Sequence, residues 1–329
     1  MKALRSLLVP LTAVLFAVPA AADEPKKPAK EAKLCEVEVV KNIDYNDAKE
    51  AEATSRNNVN AYVTILLQSQ PFAGAVCSSY FLTVPDPDKQ KLDLYLPKGQ
   101  KDFPVLFFVH GGTWKWGDRK QYPKLGEAFA SRGIGTVVIS YRLSPKVRHP
   151  AHIQDVAKAF AWTCNNIGRH GGDADKIVCC GHSAGGHLVS LLATDESYLK
   201  AEKRSFADIR GVVSISGVYT ILPAGALASA FGKDPEVCKK ASPILNVGDK
   251  HPPFLLIYAD ADFLTLDWMA EKMCRALKDH KCEATSLKMA DRAHISIIAK
   301  MIEAGDPTQK AVMDFVKTHT EKTETKEKR

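Results

Sequence analysis

Five strand-like runs dominated by apolar residues, at 105–109, 136–141, 177–180, 212–215 and 254–258, recur along the chain with helix-period stretches near 122–131, 153–167, 186–193 and 264–277. Apolar strands that alternate with amphipathic helices are buried on both faces, so the pattern predicts a parallel sheet covered on both sides. Residues 91–96 (KLDLYL) alternate apolar and polar, the period of a half-buried strand, and 37–40 (VEVV) read as a first strand on the same grounds. A strand at 284–289 and a last helix at 308–316 complete one doubly wound, mostly parallel α/β domain spanning 35–317. The stretch 219–247 is helix-like but interrupted by Pro223, Gly225, Gly232, Pro235 and Pro243, and is expected to form a short cap over the C-terminal edge of the sheet.

The remaining segments do not join this pattern. Lys2 and Arg5 precede an apolar run at 7–18, and Ala20-Ala21-Ala22 offers the small residues a signal peptidase reads, so 1–22 is expected to be a signal peptide cleaved near Ala22. The weaker alternative is a retained interfacial anchor. Residues 23–34, made of Asp, Glu, Lys, Pro and Ala with almost nothing to bury, read as a disordered leader, and 318–329 as a charged tail. Residues 46–88 mix helix-favouring AKEAEA with an apolar stretch at 61–67 and close on Pro85-Asp86-Pro87-Asp88. They are an atypical insertion and a candidate lid. The apolar run near the start is too short for a membrane span, and no later stretch reaches about 18 uninterrupted apolar residues. The expected address is therefore periplasmic or secreted.

Composition narrows the chemistry only a little. The 329 residues carry a formal charge of +7, which becomes +5 once Lys2 and Arg5 leave with the signal segment. No basic run is interleaved with aromatic residues, so a nucleic-acid partner is not expected. Eight cysteines in an oxidising compartment make some disulfides plausible, although Cys179 and Cys180 are consecutive on a buried strand and must face opposite ways. No Cys or His cluster has metal-ligand spacing.

The chemistry is organised around Gly181-His182-Ser183-Ala184-Gly185, where an apolar strand breaks into a helix. This is a nucleophile elbow: a tight strand-to-helix turn that exposes one side chain at the helix N-terminus and needs glycine two residues before and after it. A serine hydroxyl becomes a useful nucleophile only when a base takes its proton and an acid orients that base. The strand at 254–258 runs into Asp260 and Asp262, and Asp262 is the expected acid; Asp260 is expected to bond the loop backbone and Asp267 to lie in the following helix. His294, in the loop after the last strand, is the histidine that follows the acid at a strand end, giving the order Ser, Asp, His. His280 and His319 fall in charged, solvated stretches, and His182 and His187 flank the serine. After the strand at 105–109 comes His110-Gly111-Gly112, whose glycines let backbone N–H groups approach an oxyanion. The expected donors are the amides of Gly111 or Gly112 and of Ala184. Trp114, Trp116 and His182 are candidate substrate-pocket residues, with packing of the loop as the other role for the tryptophans.

At these residues the chain resembles the α/β-hydrolase superfamily, in the carboxylesterase branch with an HGGxW loop. That branch includes feruloyl and acetyl-xylan esterase-like enzymes, arylformamidases and prenylcysteine methylesterases. The resemblance covers about residues 90–317 and rests on KLDLYLP, HGGTWKWGD, YRLSP with HPAHIQD, GGDADKI with GHSAGG, ASPILNV, ADAD and DRAHISII. It implies Ser183, Asp262 and His294 as the triad and Gly111, Gly112 and Ala184 as the oxyanion loop. Two departures stand out: residues 46–88 intervene where the family passes quickly to the KLDLYLP strand, and Tyr258-Ala259 replace the family's His-Gly ahead of the acid.

The expectation is a serine carboxylic ester hydrolase that needs no cofactor or metal and acts on a short-acyl or aryl ester, as a small molecule or on a glycan. The alternative within enzymes is an arylformamidase cleaving an N-formylkynurenine-type substrate. A reading of a different class is a non-catalytic binding module on a hydrolase fold. Oligomeric state is left open.

Overall fold

A computed structural model describes residues 34–46 and 88–321. The expected signal peptide, nearly all of the leader, nearly all of the 46–88 insertion and the tail beyond 321 lie outside the described residues.

Eight strands form one sheet in the order β1-β2-β4-β3-β5-β6-β7-β8. They are β1 (Val37–Asp44), β2 (Lys91–Pro97), β3 (Phe103–Val109), β4 (Gly135–Ile139), β5 (Gly172–His182), β6 (Gly211–Ile215), β7 (Phe254–Ala261) and β8 (Ala284–Ala293). The two pairings made by β2 are antiparallel, and all the others are parallel. The longer helices are α1 (Pro123–Ala130), α2 (Ala151–Asn166), α3 (Ala184–Leu192), α4 (Leu266–Asp279) and α5 (Pro307–Thr320). Each falls where the periodicity placed one.

The alternation of side chains along a strand divides the core in two. Val105, Phe107 and Val109 of β3 join a cluster with Ile153, Phe160, Leu188 and Leu191 on one face. Leu106 and Phe108 join Phe129, Val312 and Val316 on the other. Cys179 packs in the first cluster and Cys180 in the second, and the seven described cysteines are free thiols.

The expected cap is a chain of short pieces, with helices at Ala228–Phe231 and Pro235–Lys240 between single 3-10 turns. The last helix runs four residues past the predicted 316. Val316 and Thr320 are buried, and His319 packs on Phe315 and bonds Glu283 at 3.1 Å. Residues 318–320 therefore belong to the fold, not to a charged tail.

Register sets the function of this arrangement. Val109 pairs with Ile139 and Gly181, His182 with Ile215, and Ile215 with Ile257. The central parallel strands thus end level, and the loops leaving β3, β5, β6, β7 and β8 meet along one edge, where ligands bind in such sheets.

Candidate active site

Between β5 and α3 the backbone turns through Ser183 at φ 55° and ψ −116°, a strained conformation for a residue with a side chain. Surrounding atoms hold it there. The Ser183 N–H donates to Ile215 O at 2.8 Å, and its carbonyl accepts from His187 at 3.0 Å. The flanking glycines are required by space: a Cβ on Gly181 would lie 2.3 Å from Gly185 O, and one on Gly185 would lie 2.0 Å from Val109 O. The turn consequently presses the start of α3 against the end of β3.

Three side chains distant in sequence meet at this edge. His294, first residue after β8, places Nε2 3.0 Å from Ser183 Oγ and Nδ1 2.6 Å from Asp262 Oδ1. Asp262 follows the last residue of β7. Its carboxylate also accepts from the Ser216 hydroxyl, from the Ala259 N–H at 3.1 Å and from the Phe263 N–H at 2.9 Å. Burial works to raise the Asp262 pKa, but the bonds from His294, Ser216 and the two amides outweigh it and hold the carboxyl below its ordinary range. Asp260 points elsewhere, accepting from the backbone N–H groups of Asp291 and Arg292 at 2.9 Å each, and so secures the β8 end that carries His294. Asp267 lies in the first turn of α4.

The loop after β3 lies against the serine. A Cβ on Gly111 would come within 3.1 Å of Ser183 Cβ. Gly112, at φ 115°, closes a turn in which its carbonyl accepts from Lys115 at 3.0 Å and Trp116 at 2.9 Å. Burial raises the pKa of the nearby Tyr122 phenol, and the Gly111 backbone partly offsets that push. Ala184 opens α3, so its N–H has no intrahelical carbonyl. His110 is fully buried with its ring stacked on Tyr141, and its Nδ1–H donates to Gly111 O at 2.7 Å. The far end of the loop is clamped to the sheet: Arg119, 1% exposed, bonds Asp93 at 3.0 Å and Ser140 at 3.0 Å.

The three candidate pocket residues separate. Trp116 is 72% exposed. Trp114 is 2% exposed, packs edge-on against Phe231 and donates from Nε1 to His187 Nδ1 at 3.2 Å. It therefore packs the loop and does not face a ligand. His182 is also buried, with Nε2 bonded to the His294 carbonyl.

Sequence reasoning missed Ser216 and Phe263. Ser216 follows the apolar end of β6 with φ 49°, the same position relative to its strand that Ser183 holds, which is the signal that marks it. Phe263 stacks on His294 with ring centroids 4.1 Å apart while remaining 62% exposed. Among the described residues no cluster of His, Cys, Asp and Glu is arranged to hold a metal, and no helix is long and apolar enough to cross a membrane.

Comparison with known proteins assigns the scaffold. The BD-FAE family profile matches residues 92–267, more than half of the chain. The chain belongs to the BD-FAE family. This places it in the carboxylesterase branch of the α/β-hydrolases, and the matched region of this BD-FAE chain contains Ser183 and Asp262. It is 35% identical over 199 residues to Esterase LipC of Mycobacterium tuberculosis, covering 54% of this chain and 49% of that protein. The chain thus spans about half the length of that relative. Kynurenine formamidase of Danio rerio is 23% identical over 276 residues, covering 79% of this chain and 90% of that protein. A solved structure described as a truncated form of carbohydrate esterase from gut microbiota superposes with a TM-score of 0.66 at 19% identity, covering 90% of this chain and 99% of that chain. At that identity the likeness establishes the α/β-hydrolase fold alone.

Proposed function

We propose that this BD-FAE chain is a serine-dependent carboxylic ester hydrolase working through an acyl-enzyme. The observation that carries the reading is the unbroken hydrogen-bonded path from Asp262 through His294 to Ser183, with steps of 2.6 and 3.0 Å. A carboxylate only accepts, so His294 carries its resting proton on Nδ1 and offers the Nε2 lone pair to the serine hydroxyl. As Ser183 Oγ attacks the acyl carbon, Nε2 takes the hydroxyl proton and the carbonyl oxygen becomes an oxyanion. The amides of Ala184 and of Gly111 or Gly112 receive it; each such donor contributes about 3–4 kcal/mol to the transition state. His294 then passes the proton to the departing alkoxide, and the alcohol leaves. Water, deprotonated by the same nitrogen, attacks the acyl-serine and releases the acid. Asp262 stays ionised throughout and favours the imidazolium that forms in each half.

Exposed Trp116 and Phe263 at the rim support a short-acyl or aryl ester as the substrate class, free or carried on a glycan. The charged, apolar and small-residue order of residues 1–22 supports export to the periplasm or medium. The second reading, cleavage of an aryl-formamide, is favoured by the formamidase likeness, which extends over most of both chains. Turnover of p-nitrophenyl acetate, butyrate and octanoate beside N-formylkynurenine separates the two. Ester hydrolysis that falls with acyl length is expected; formamide turnover above every ester would put the second reading in place of the first.

The acid assignment has its own test. Asp262→Asn is expected to lower kcat about ten-thousand-fold, the scale seen when a triad acid becomes an amide and the imidazole loses its tautomer. Asp260→Asn, which bonds only backbone near the end of β8, is expected to lower kcat less than about tenfold. Equal losses in the two variants would move the acid role away from Asp262.

A further inference from the structure

We propose that His182 is a positioning residue, holding the backbone of His294 and the oxyanion loop in one register; the proposal rests on the ester-hydrolase reading above. His182 is the last residue of β5, immediately before Ser183, and only 3% of it is exposed. Its Nε2 lies 2.8 Å from the carbonyl oxygen of His294, across 112 residues of chain. A carbonyl cannot donate, so Nε2 carries the proton. Burial keeps the ring neutral by lowering its pKa to about 4, and Nδ1 is therefore the bare nitrogen. The two imidazole centroids are 4.8 Å apart. On another side the ring meets Gly111, where an added Cβ would come 2.9 Å from His182 O and 3.0 Å from Nδ1. One side chain thus touches the main chain of the base and the glycine loop, and sits beside the nucleophile.

The consequence follows from how His294 is held. Its ring is tethered at Nδ1 by Asp262, and its main chain sits in the turn that leaves β8, where the Ala293 N–H bonds the nearby Ser296 hydroxyl at 2.8 Å. The bond from His182 ties that turn to the central strand. Without it the imidazole keeps its acid but loses its height above Ser183, and a misplacement of about 1 Å can cost about a hundredfold in rate. The loss belongs to the chemical step and leaves ground-state binding alone.

The test compares His182→Met, which fills the space without a donor, with His182→Gln, whose amide NH2 reaches the same carbonyl, using p-nitrophenyl acetate and circular-dichroism melting. The methionine variant is expected to fold and to lose about 30- to 100-fold in kcat with KM within about twofold, and the glutamine variant to stay within about fivefold of wild type. In a His294→Ala background, the methionine change is expected to cost nothing further. If the methionine variant does not fold, His182→Phe takes its place. A folded donor-free variant with wild-type kcat, a glutamine variant as slow as the donor-free one, or a loss confined to KM would each overturn the proposal. Ser183→Ala run beside them keeps the two ideas apart: its continued turnover would remove the ester-hydrolase reading, whereas an inert Ser183→Ala beside an unimpaired His182→Met would remove the positioning role alone.

Discussion

Ser183→Ala is expected to lose ester turnover roughly a million-fold, the loss measured when the nucleophile of a well-studied serine protease is removed. The expectation follows from geometry. Ser183 Oγ faces Nε2 of His294 at 3.0 Å and stands at the head of α3, where the Ala184 amide has no intrahelical carbonyl. Alanine removes that atom and nothing else of consequence. It fits the same backbone as serine, leaves the Gly181 and Gly185 contacts in place and deletes one hydroxyl hydrogen bond, so the melting temperature should move by no more than about 4 °C. What remains should be the small acceleration that oxyanion donors and binding give alone. A folded Ser183→Ala protein that still turns over p-nitrophenyl acetate would mean that hydrolysis proceeds elsewhere, and a folded wild type inert on esters and formamides alike would support a binding module.

The second large effect is on stability. Five histidines are buried with their pKa values pushed down chiefly by burial: His110, His149 and His182 to about 4, and His152 and His187 to about 3. The unfolded chain titrates each near 6.5, so at neutral pH neither state is protonated and nothing is lost. As pH falls below 6.5 the unfolded state takes up protons that the folded state refuses, and stability declines by about 1.4 kcal/mol per histidine per pH unit. Five acting together remove about 7 kcal/mol by pH 5.5, comparable to the whole stability of a typical domain. Melting followed by circular dichroism should therefore show a plateau above pH 7 and a steep fall between about pH 6.5 and 5. A melting temperature unchanged from pH 7.5 to 5 would show that these rings reach water or a partner on protonation.

The strands and longer helices were legible because each apolar run has one way to be buried, and the run fixes the element that buries it. Gly181, Ser183 and Gly185 were legible for a steric reason, confirmed as contacts of 2.3 and 2.0 Å that a side chain would make. Residues with reciprocal roles across the sheet were harder. Ser216 serves the carboxylate of Asp262 from a neighbouring strand, and His182 serves the main chain of His294; neither relation exists until β5, β6, β7 and β8 stand side by side. Trp114 and Trp116 are separated by one residue in one loop, yet one is core and the other surface: Trp114, at a positive φ of 59°, packs its indole against Phe231 and His187. Periodicity has no hold on such a turn. The end of α5 differs from expectation for a related reason: Thr318, His319 and Thr320 look like tail composition, and the helix with the packing of His319 on Phe315 shows that they belong to the fold.

The close approach of Gly185 to the carbonyl of Val109 has a meaning for how such a site diversifies. With no room even for a methyl group between the serine turn and the end of β3, neither loop can accept a heritable change that shifts it without displacing the other. The two loops can shift only as a block. The side chains that meet solvent around it, Trp116, Phe263, Leu264 and Ile295, can each be exchanged without touching that contact. A scaffold divided in this way would let single surface replacements change what meets a substrate while the packing of the two loops stays fixed.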